Sequence, residues 1–308
     1  MAMQPKYDEV EVVLADSRGH LRSDMKTALS HAGFFQIRHT GAVRIVTESV
    51  QSMLGPDILI CDMALEEGTV RDLVTSVRHN DLGRNPFLCV IGITWDPTSE
   101  EVSRVINSGV DHLLRAPVSP EQILTRIRAL VRDRAPFVVT TDYIGPDRRK
   151  QARAPSKIPV FQVPNTLREK ATGNWNLGEM DKALREAVGD LNNRRIDVQA
   201  QNIMNLAGQI SREAAKSGAE RLQPQIERLD GMVRAMERCA AERGLSHVAE
   251  LCNASVKVAD EIWEKGAIDP LKDLALLGHL GRAIRTALFP GNDRSVAHSI
   301  ARIVADAR

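Results

Sequence analysis

The chain's 308 residues leave room for about two domains, and with 43% apolar and 26% charged residues it has the balance of a globular protein with a buried core. A formal net charge of +1 supplies no global field to draw nucleic acid or an anionic membrane. No apolar run approaches the ~18 residues of a membrane helix, and the start, Met1 to Asp8, has no apolar signal-peptide core, so a cytoplasmic protein without membrane contact is expected.

In chain order, short apolar, β-branched runs fall at Val10–Leu14, Phe34–Ile37, Ile58–Cys61, Phe87–Ile93 and His112–Leu114, with amphipathic stretches between them. Continuous apolar strands separated by helices predict a five-stranded, doubly wound parallel sheet, an α/β domain over residues 8–134. Helix starts agree. Ser119-Pro120-Glu121-Gln122 offers a capping Ser, Pro at the first helical position and Gln three residues after the cap. Thr98-Ser99-Glu100-Glu101 is a similar box.

Residues 135–165 hold five of the chain's 14 prolines and a basic cluster, Arg148-Arg149-Lys150 with Arg153 and Lys157. Repeated Pro excludes regular helix and predicts an extended basic linker. Val138, Val139, Tyr143, Ile144, Val160 and Phe161 are too apolar for a purely solvated tether, so part of it is expected to dock on a domain surface.

Residues 166–308 read as an all-α bundle. Leu222, Ile226, Leu229, Val233, Met236 and Ala240 form an apolar stripe on one helix face, read as bundle core or as a self-association seam. Ile196, Ile203, Leu206 and Ile210 make a second stripe, and Val248, Leu251, Val258 and Ile262 a third. Asp269-Pro270 starts a fourth helix, and Val296, Ile300 and Ile303 suggest a short last one. The four cysteines are scattered. Cys239 and Cys252, 13 apart with His247 between them, lack the close pairing of a zinc site.

Four places in the first 134 residues resemble the receiver domain of bacterial response regulators. Asp16 ends the first strand, Asp62 the third, and Thr94 the fourth. The string Gly109-Val110-Asp111-His112-Leu113-Leu114-Arg115-Ala116-Pro117 is similar to the fifth strand and its Lys-Pro turn. The resemblance implies phosphoryl transfer from a phosphohistidine to Asp62, with Mg²⁺ held by Asp16 and Asp62 and a hydroxyl, Thr94, on the phosphoryl oxygen. It implies a histidine kinase or phosphotransfer protein as partner. Output or dimer contacts are expected across about 97–134, and a homodimer is one expectation.

The match departs from the family at three positions. Ser17 stands where the second acidic residue is expected, Ala116 where the lysine is, and Leu113 where the aromatic is. Arg115 is adjacent, but neighbouring strand residues point to opposite faces. Removing a metal ligand and the balancing cation leaves a weak Mg²⁺ site, or none, and an uncompensated phosphoryl charge. The expectation is a pseudo-receiver, not an enzyme, that acts through protein contacts. A working phospho-switch on Asp62 is the alternative.

Two further stretches resemble known families. Arg148-Arg149 with Arg153 resembles the RRxxxR opening of PilZ domains, which would imply cyclic-dinucleotide binding through arginine forks on phosphate. The β-barrel and the D/NxSxxG element that should follow are absent from the sequence. His279-Leu280-Gly281-Arg282-Ala283 is loosely similar to the phosphorylated-histidine pattern of phosphotransfer bundles, with Gly281 and Ala283 as departures. No helix-turn-helix signature, P-loop, GxGxxG or catalytic triad appears, so neither nucleic-acid contact nor catalysis is expected.

Overall fold

The computed structural model describes residues 5–65, 70–95, 97–149, 158–214, 222–241, 245–265 and 270–288. The chain divides into two compact units, residues 1–189 and 190–308. The first opens with alternating strands and helices: β1 (Glu11–Ala15), α1 (Gly19–His31), β2 (Gln36–Thr40), α2 (Val43–Val50), β3 (Ile58–Asp62), α3 (Val70–Arg78), β4 (Cys89–Thr94), α4 (Ser99–Asn107), β5 (His112–Arg115) and α5 (Pro120–Arg132). The strands pair in parallel in the order β2-β1-β3-β4-β5, the sheet of a receiver fold.

Every central strand is buried on both faces, which is why each reads as an unbroken apolar run. Val12, Leu14, Ile58 and Ile60 pack with Leu29 of α1 and Ile123 and Ile127 of α5. Their neighbours Val13, Ala15, Leu59 and Cys61 turn to the other face, against Val46 of α2, Val74 and Val77 of α3 and Val105 of α4. Both expected capping boxes form: Thr98 with Glu101 starts α4, and Ser119 with Gln122 starts α5, Pro120 being its first residue.

The stretch expected as a linker departs from an extended tether. It carries β6 (Phe137–Val139), β7 (Ile144–Pro146) and β8 (Val160–Phe161), antiparallel in the order β7-β6-β8. Its anchor is Phe137, fully buried and edge-on to Phe87 at 5.7 Å between ring centroids. Two guanidiniums cover the Phe137 ring, Arg78 at 5.2 Å and Arg134 at 5.0 Å. Both arginines bind Asp111, through Arg78 Nη2 (3.0 Å) and Arg134 Nε (2.7 Å). Arg78 also donates to the carbonyls of Gly109, Pro86 and Leu88. This buried cluster seals the amino ends of β4 and β5. Gly109 has a left-handed φ of +93°, and a methyl there would lie 2.6 Å from the Ile144 carbonyl oxygen of β7.

The helix α6 (Thr166–Ala171) lies in the first unit, not in the bundle where residue 166 was expected to begin it. Asn165 caps it on the Arg168 N–H (3.0 Å) and donates to the Leu130 carbonyl of α5 (2.9 Å). Leu167 and Ala171 join the α1–α5 core, and Lys170 Nζ meets Asp57 (2.9 Å) and Glu11 (3.2 Å).

The helix α7 (Leu177–Ala214) runs through the boundary at Gly189 into the second unit, which continues with α8 (Gln223–Ala241), α9 (Ser246–Lys265) and α10 (Pro270–Leu288). The predicted stripes are buried in one shared core, including Ile203 and Ile210, the whole set from Leu222 to Ala240, and Val248, Leu251, Leu277 and Leu280. The Leu222–Ala240 stripe is therefore bundle core, not a seam open to a second copy. Asp269 and the proposed last helix around Val296, Ile300 and Ile303 lie outside the described residues.

Candidate functional site

β1 and β3 are parallel neighbours in register Ala15↔Cys61, so the next residue of each, Asp16 and Asp62, emerges beside the other at the carboxyl end of the sheet. Open α/β sheets place their sites there. Both are buried, Asp16 at 8% exposure and Asp62 at 4%. The Asp16 Oδ1 accepts from the Arg18 backbone N–H (2.8 Å), and the Asp62 Oδ1 from that of Ala64 (3.1 Å).

The space between these carboxylates is filled by the side chain of Arg18. Its Nε lies 2.9 Å from Asp16 Oδ1, and its Nη2 lies 2.9 Å from Asp16 Oδ2 and 2.6 Å from Asp62 Oδ2. The fork grips one carboxylate with two bonds and reaches the second with a shared nitrogen, the planar geometry for which arginine suits carboxylates. Above it lies Trp95, its ring centroid 3.8 Å from the Arg18 guanidinium carbon. The hydrogen bonds to Asp16 hold the Arg18 guanidinium above its ordinary pKa. Burial pushes the Asp62 carboxyl up and the nearby Asp16 charge adds to this, against the Ala64 N–H and Arg18, which pull it down.

The other expected positions fall where the receiver resemblance puts them, but with altered chemistry. Ser17 is half-buried and brings no carboxylate. Thr94 ends β4 half-buried, and its carbonyl accepts from the Ala116 N–H at 2.8 Å. Ala116 is buried, Arg115 exposed and Leu114 buried, so Arg115 points away from the aspartates' side of β5, as strand alternation requires. Leu113 is half-buried against the second core layer. Among the described residues no group of three or more His, Cys, Asp and Glu could hold a metal. A divalent cation does not fit between Asp16 and Asp62 while Arg18 occupies that place.

Arg18 and Trp95 were not singled out from sequence. The available signal was an arginine two residues after Asp16, directly behind the position where a charged ligand had become Ser17. It has meaning only once β1 and β3 are known to lie side by side.

Arg148 and Arg149, the two described members of the basic cluster, are committed to the protein itself, and Lys150 and Lys157 lie outside the described residues. Arg148 donates to the Val110 carbonyl. Arg149 forks onto Asp147, Nε to Oδ1 at 2.7 Å and Nη2 to Oδ2 at 2.8 Å. Arg153 lies outside the described residues. His279 is exposed on α10, and its Nδ1 lies 2.9 Å from Arg282 Nη2. Cys239 and Cys252 are free thiols in the bundle core, burial pushing the Cys252 thiol up to about 12.

No family model matches the chain. Among curated proteins it is similar to the transcriptional regulatory protein TrcR of Mycobacterium tuberculosis, 27% identical over 124 residues, which are 40% of this chain and 46% of that protein. The chain thus spans about half the length of the curated relative it matches. Among solved structures it is similar to the signal receiver domain of a NarL response regulator from Mycobacterium tuberculosis (20% identity, 42% of this chain and 100% of that one, TM-score 0.36). It is also similar to the chemotaxis protein CheY4 of Vibrio cholerae (20% identity, 39% and 98%, TM-score 0.35).

Proposed function

We propose that this protein is an atypical response regulator whose receiver-like unit signals through protein–protein contact, with its phosphorylation pocket held shut by Arg18. The observation that carries the reading is the single guanidinium shared by Asp16 and Asp62. Phosphoryl transfer to Asp62 needs a free carboxylate oxygen and a cation to gather the developing charge. Here Oδ1 is engaged by Ala64 and Oδ2 by Arg18. A positioned stabilising group is worth ~10²–10³ in rate, and the lysine and one acidic ligand are both missing. Arg18 supplies a fixed positive charge in their place, so half of the carboxylate pair's charge is balanced without Mg²⁺ or phosphorylation. Mg²⁺ binds weakly at most, because it must displace Arg18.

Of the surface over about 97–134, the end of α5 is covered by Asn165 and α6 and Arg134 is buried, so the exposed side of α4 and the start of α5 remain for a partner such as a histidine kinase, a phosphotransfer protein or a second copy. The helical unit serves as a protein-binding output. TrcR is named a transcriptional regulator, but the match covers less than half of that protein, and the near-neutral charge of this chain favours a protein partner over nucleic acid. Cyclic-dinucleotide binding is not favoured, since Arg148 and Arg149 already have partners within the chain. No described helix is long and apolar enough to cross a membrane, and a cytoplasmic location suits this role.

The test is a titration of the full chain with beryllofluoride and Mg²⁺, followed by amide NMR. The expected result is no saturable change at millimolar Mg²⁺. A saturable response that disappears in Asp62→Ala would make the protein a conventional phospho-switch and overturn the proposal.

A further inference from the structure

Asp16 and Asp62 hold Arg18 by the edge of its guanidinium, through Nε and Nη2. One face of the same group is covered by the Trp95 ring, whose centroid lies 3.8 Å from Cζ. Trp95 is the residue after β4 ends at Thr94, so the strand that carries the hydroxyl to this edge of the sheet carries the indole as well. The ring is 42% exposed. Arg18 itself stands at the N-cap of α1, a place usually taken by Ser, Thr, Asp or Asn. It makes no side-chain cap there, so its side chain serves the carboxylate pair and not the helix.

The ion pairs alone are a weak clasp for this side chain. It is 28% exposed, so water screens its charge, and fixing an arginine in one rotamer costs conformational entropy. A guanidinium stacked on an aromatic ring gains cation–π attraction and contact area, and Trp is the strongest partner for it. The indole therefore supplies what the two carboxylates do not, a hold on the flat face of the group.

We propose that Trp95 is the positioning residue of this pocket: stacked on Arg18, it keeps the guanidinium between the aspartates and so sets how readily a divalent cation enters. The proposal rests on the reading of Arg18 as the group that closes the pocket. The coupling is reciprocal, because a cation that enters between Asp16 and Asp62 must take Arg18 from its place against the ring. Cation affinity is thereby regulated from an exposed side chain that is not itself a ligand.

The test is a double-mutant cycle read as Mg²⁺ affinity. Each full-chain variant is titrated well above millimolar Mg²⁺ and followed by NMR at the Ala64 N–H, which donates to Asp62. Trp95→Ala is expected to tighten Mg²⁺ about fivefold over the wild type, as loss of one partly exposed cation–π contact predicts. In an Arg18→Ala background the same substitution is expected to change affinity by no more than about twofold, since the ring acts only through Arg18. Trp95→Phe keeps a ring face and is expected to fall between wild type and Trp95→Ala. In proteins that retain Arg18, its Nε–H resonance is expected to exchange fastest in Trp95→Ala. Unchanged Mg²⁺ affinity in Trp95→Ala, while Arg18→Ala binds more tightly, overturns the role of Trp95 and leaves the reading of Arg18 standing. An equal gain from Trp95→Ala with and without Arg18 also overturns it. No gain in Arg18→Ala itself overturns the reading of Arg18, and the role of Trp95 with it.

Discussion

Replacing Arg18 with alanine removes the only cation bridging Asp16 and Asp62 among the contacts described, and the consequence can be worked from distances. Both carboxylates reach the same nitrogen, at 2.9 and 2.6 Å, so their facing oxygens lie about 5 Å apart. Two charges ~5 Å apart in surroundings of effective dielectric ~20 repel by about 3 kcal/mol. With Arg18 gone, the site relieves that repulsion by taking a proton or a cation. Arg18→Ala is therefore expected to bind Mg²⁺ about 100-fold more tightly than the wild type, since ~1.4 kcal/mol is a factor of ten. The variant's stability follows the same logic. Asp62 already has a raised pKa, so its ionised form is disfavoured in the fold. The penalty is largest above that raised value and vanishes below the ordinary carboxylate range, where the group is protonated in both states. Arg18→Ala should thus lose about 2–3 kcal/mol at pH 8, less at pH 5, and regain much of it in millimolar Mg²⁺. Calorimetric Mg²⁺ titration of both proteins, with urea unfolding at the two pH values, measures each part. Equal Mg²⁺ affinities, with no pH dependence of the stability difference, would refute the view that Arg18 stands in for the cation.

Asp111→Asn should destabilise the first unit by about 3–5 kcal/mol, lowering its melting temperature by about 10 °C, because it leaves two buried guanidiniums without a counter-charge. Circular dichroism melting checks this. Arg134 and Arg78 hold the Asp111 carboxyl below its ordinary value against the cost of burial. Its contribution is therefore complete above the ordinary carboxylate pKa of ~4 and is lost as pH falls through the depressed value, so the wild type and Asp111→Asn should converge in strong acid. Lys170→Met strands the buried Asp57 and should cost about 3 kcal/mol at pH 8. Burial already pushes the Asp57 carboxyl up, so the loss should shrink towards pH 5, as urea midpoints will report. Gly109→Ala forces a methyl against the Ile144 carbonyl at positive φ and should cost about 2 kcal/mol or more, with faster amide exchange across β6 and β7 as its signature.

The parallel sheet was legible in the sequence because each strand is buried on both faces and carries its own apolar run, from Ile58–Cys61 to Phe87–Ile93. The positions of Asp16, Asp62 and Thr94 followed, since strand ends in such a sheet share one edge. Arg18 was not legible. Its partners lie two and 44 positions away, and an arginine after a strand ordinarily reads as a solvated side chain. Arg78 was hidden for a related reason. At the end of a helix it reads as a charge near the last carbonyls, yet it is wholly buried and serves Asp111 and three carbonyls from other elements. The strands β6 to β8 are two or three residues long, too short for any periodicity, and their proline-rich setting hides them. Their burial depends on Phe87, which is 50 positions before Phe137.

The cluster of Arg78, Asp111 and Arg134 also decides where this polypeptide can be divided. A fragment ending at Arg134, the natural cut for an isolated receiver, would remove Phe137 from Phe87 and take away the ring that covers both guanidiniums. It would also strip Lys170 from Asp57 and Leu167 from the α5 side of the core. Such a fragment would expose apolar surface and an unpaired acid at once, and is expected to aggregate. The first unit runs on to Gly189, so the start of α7, with Met180 and Leu184 buried, belongs to any fragment that is to keep that interior closed.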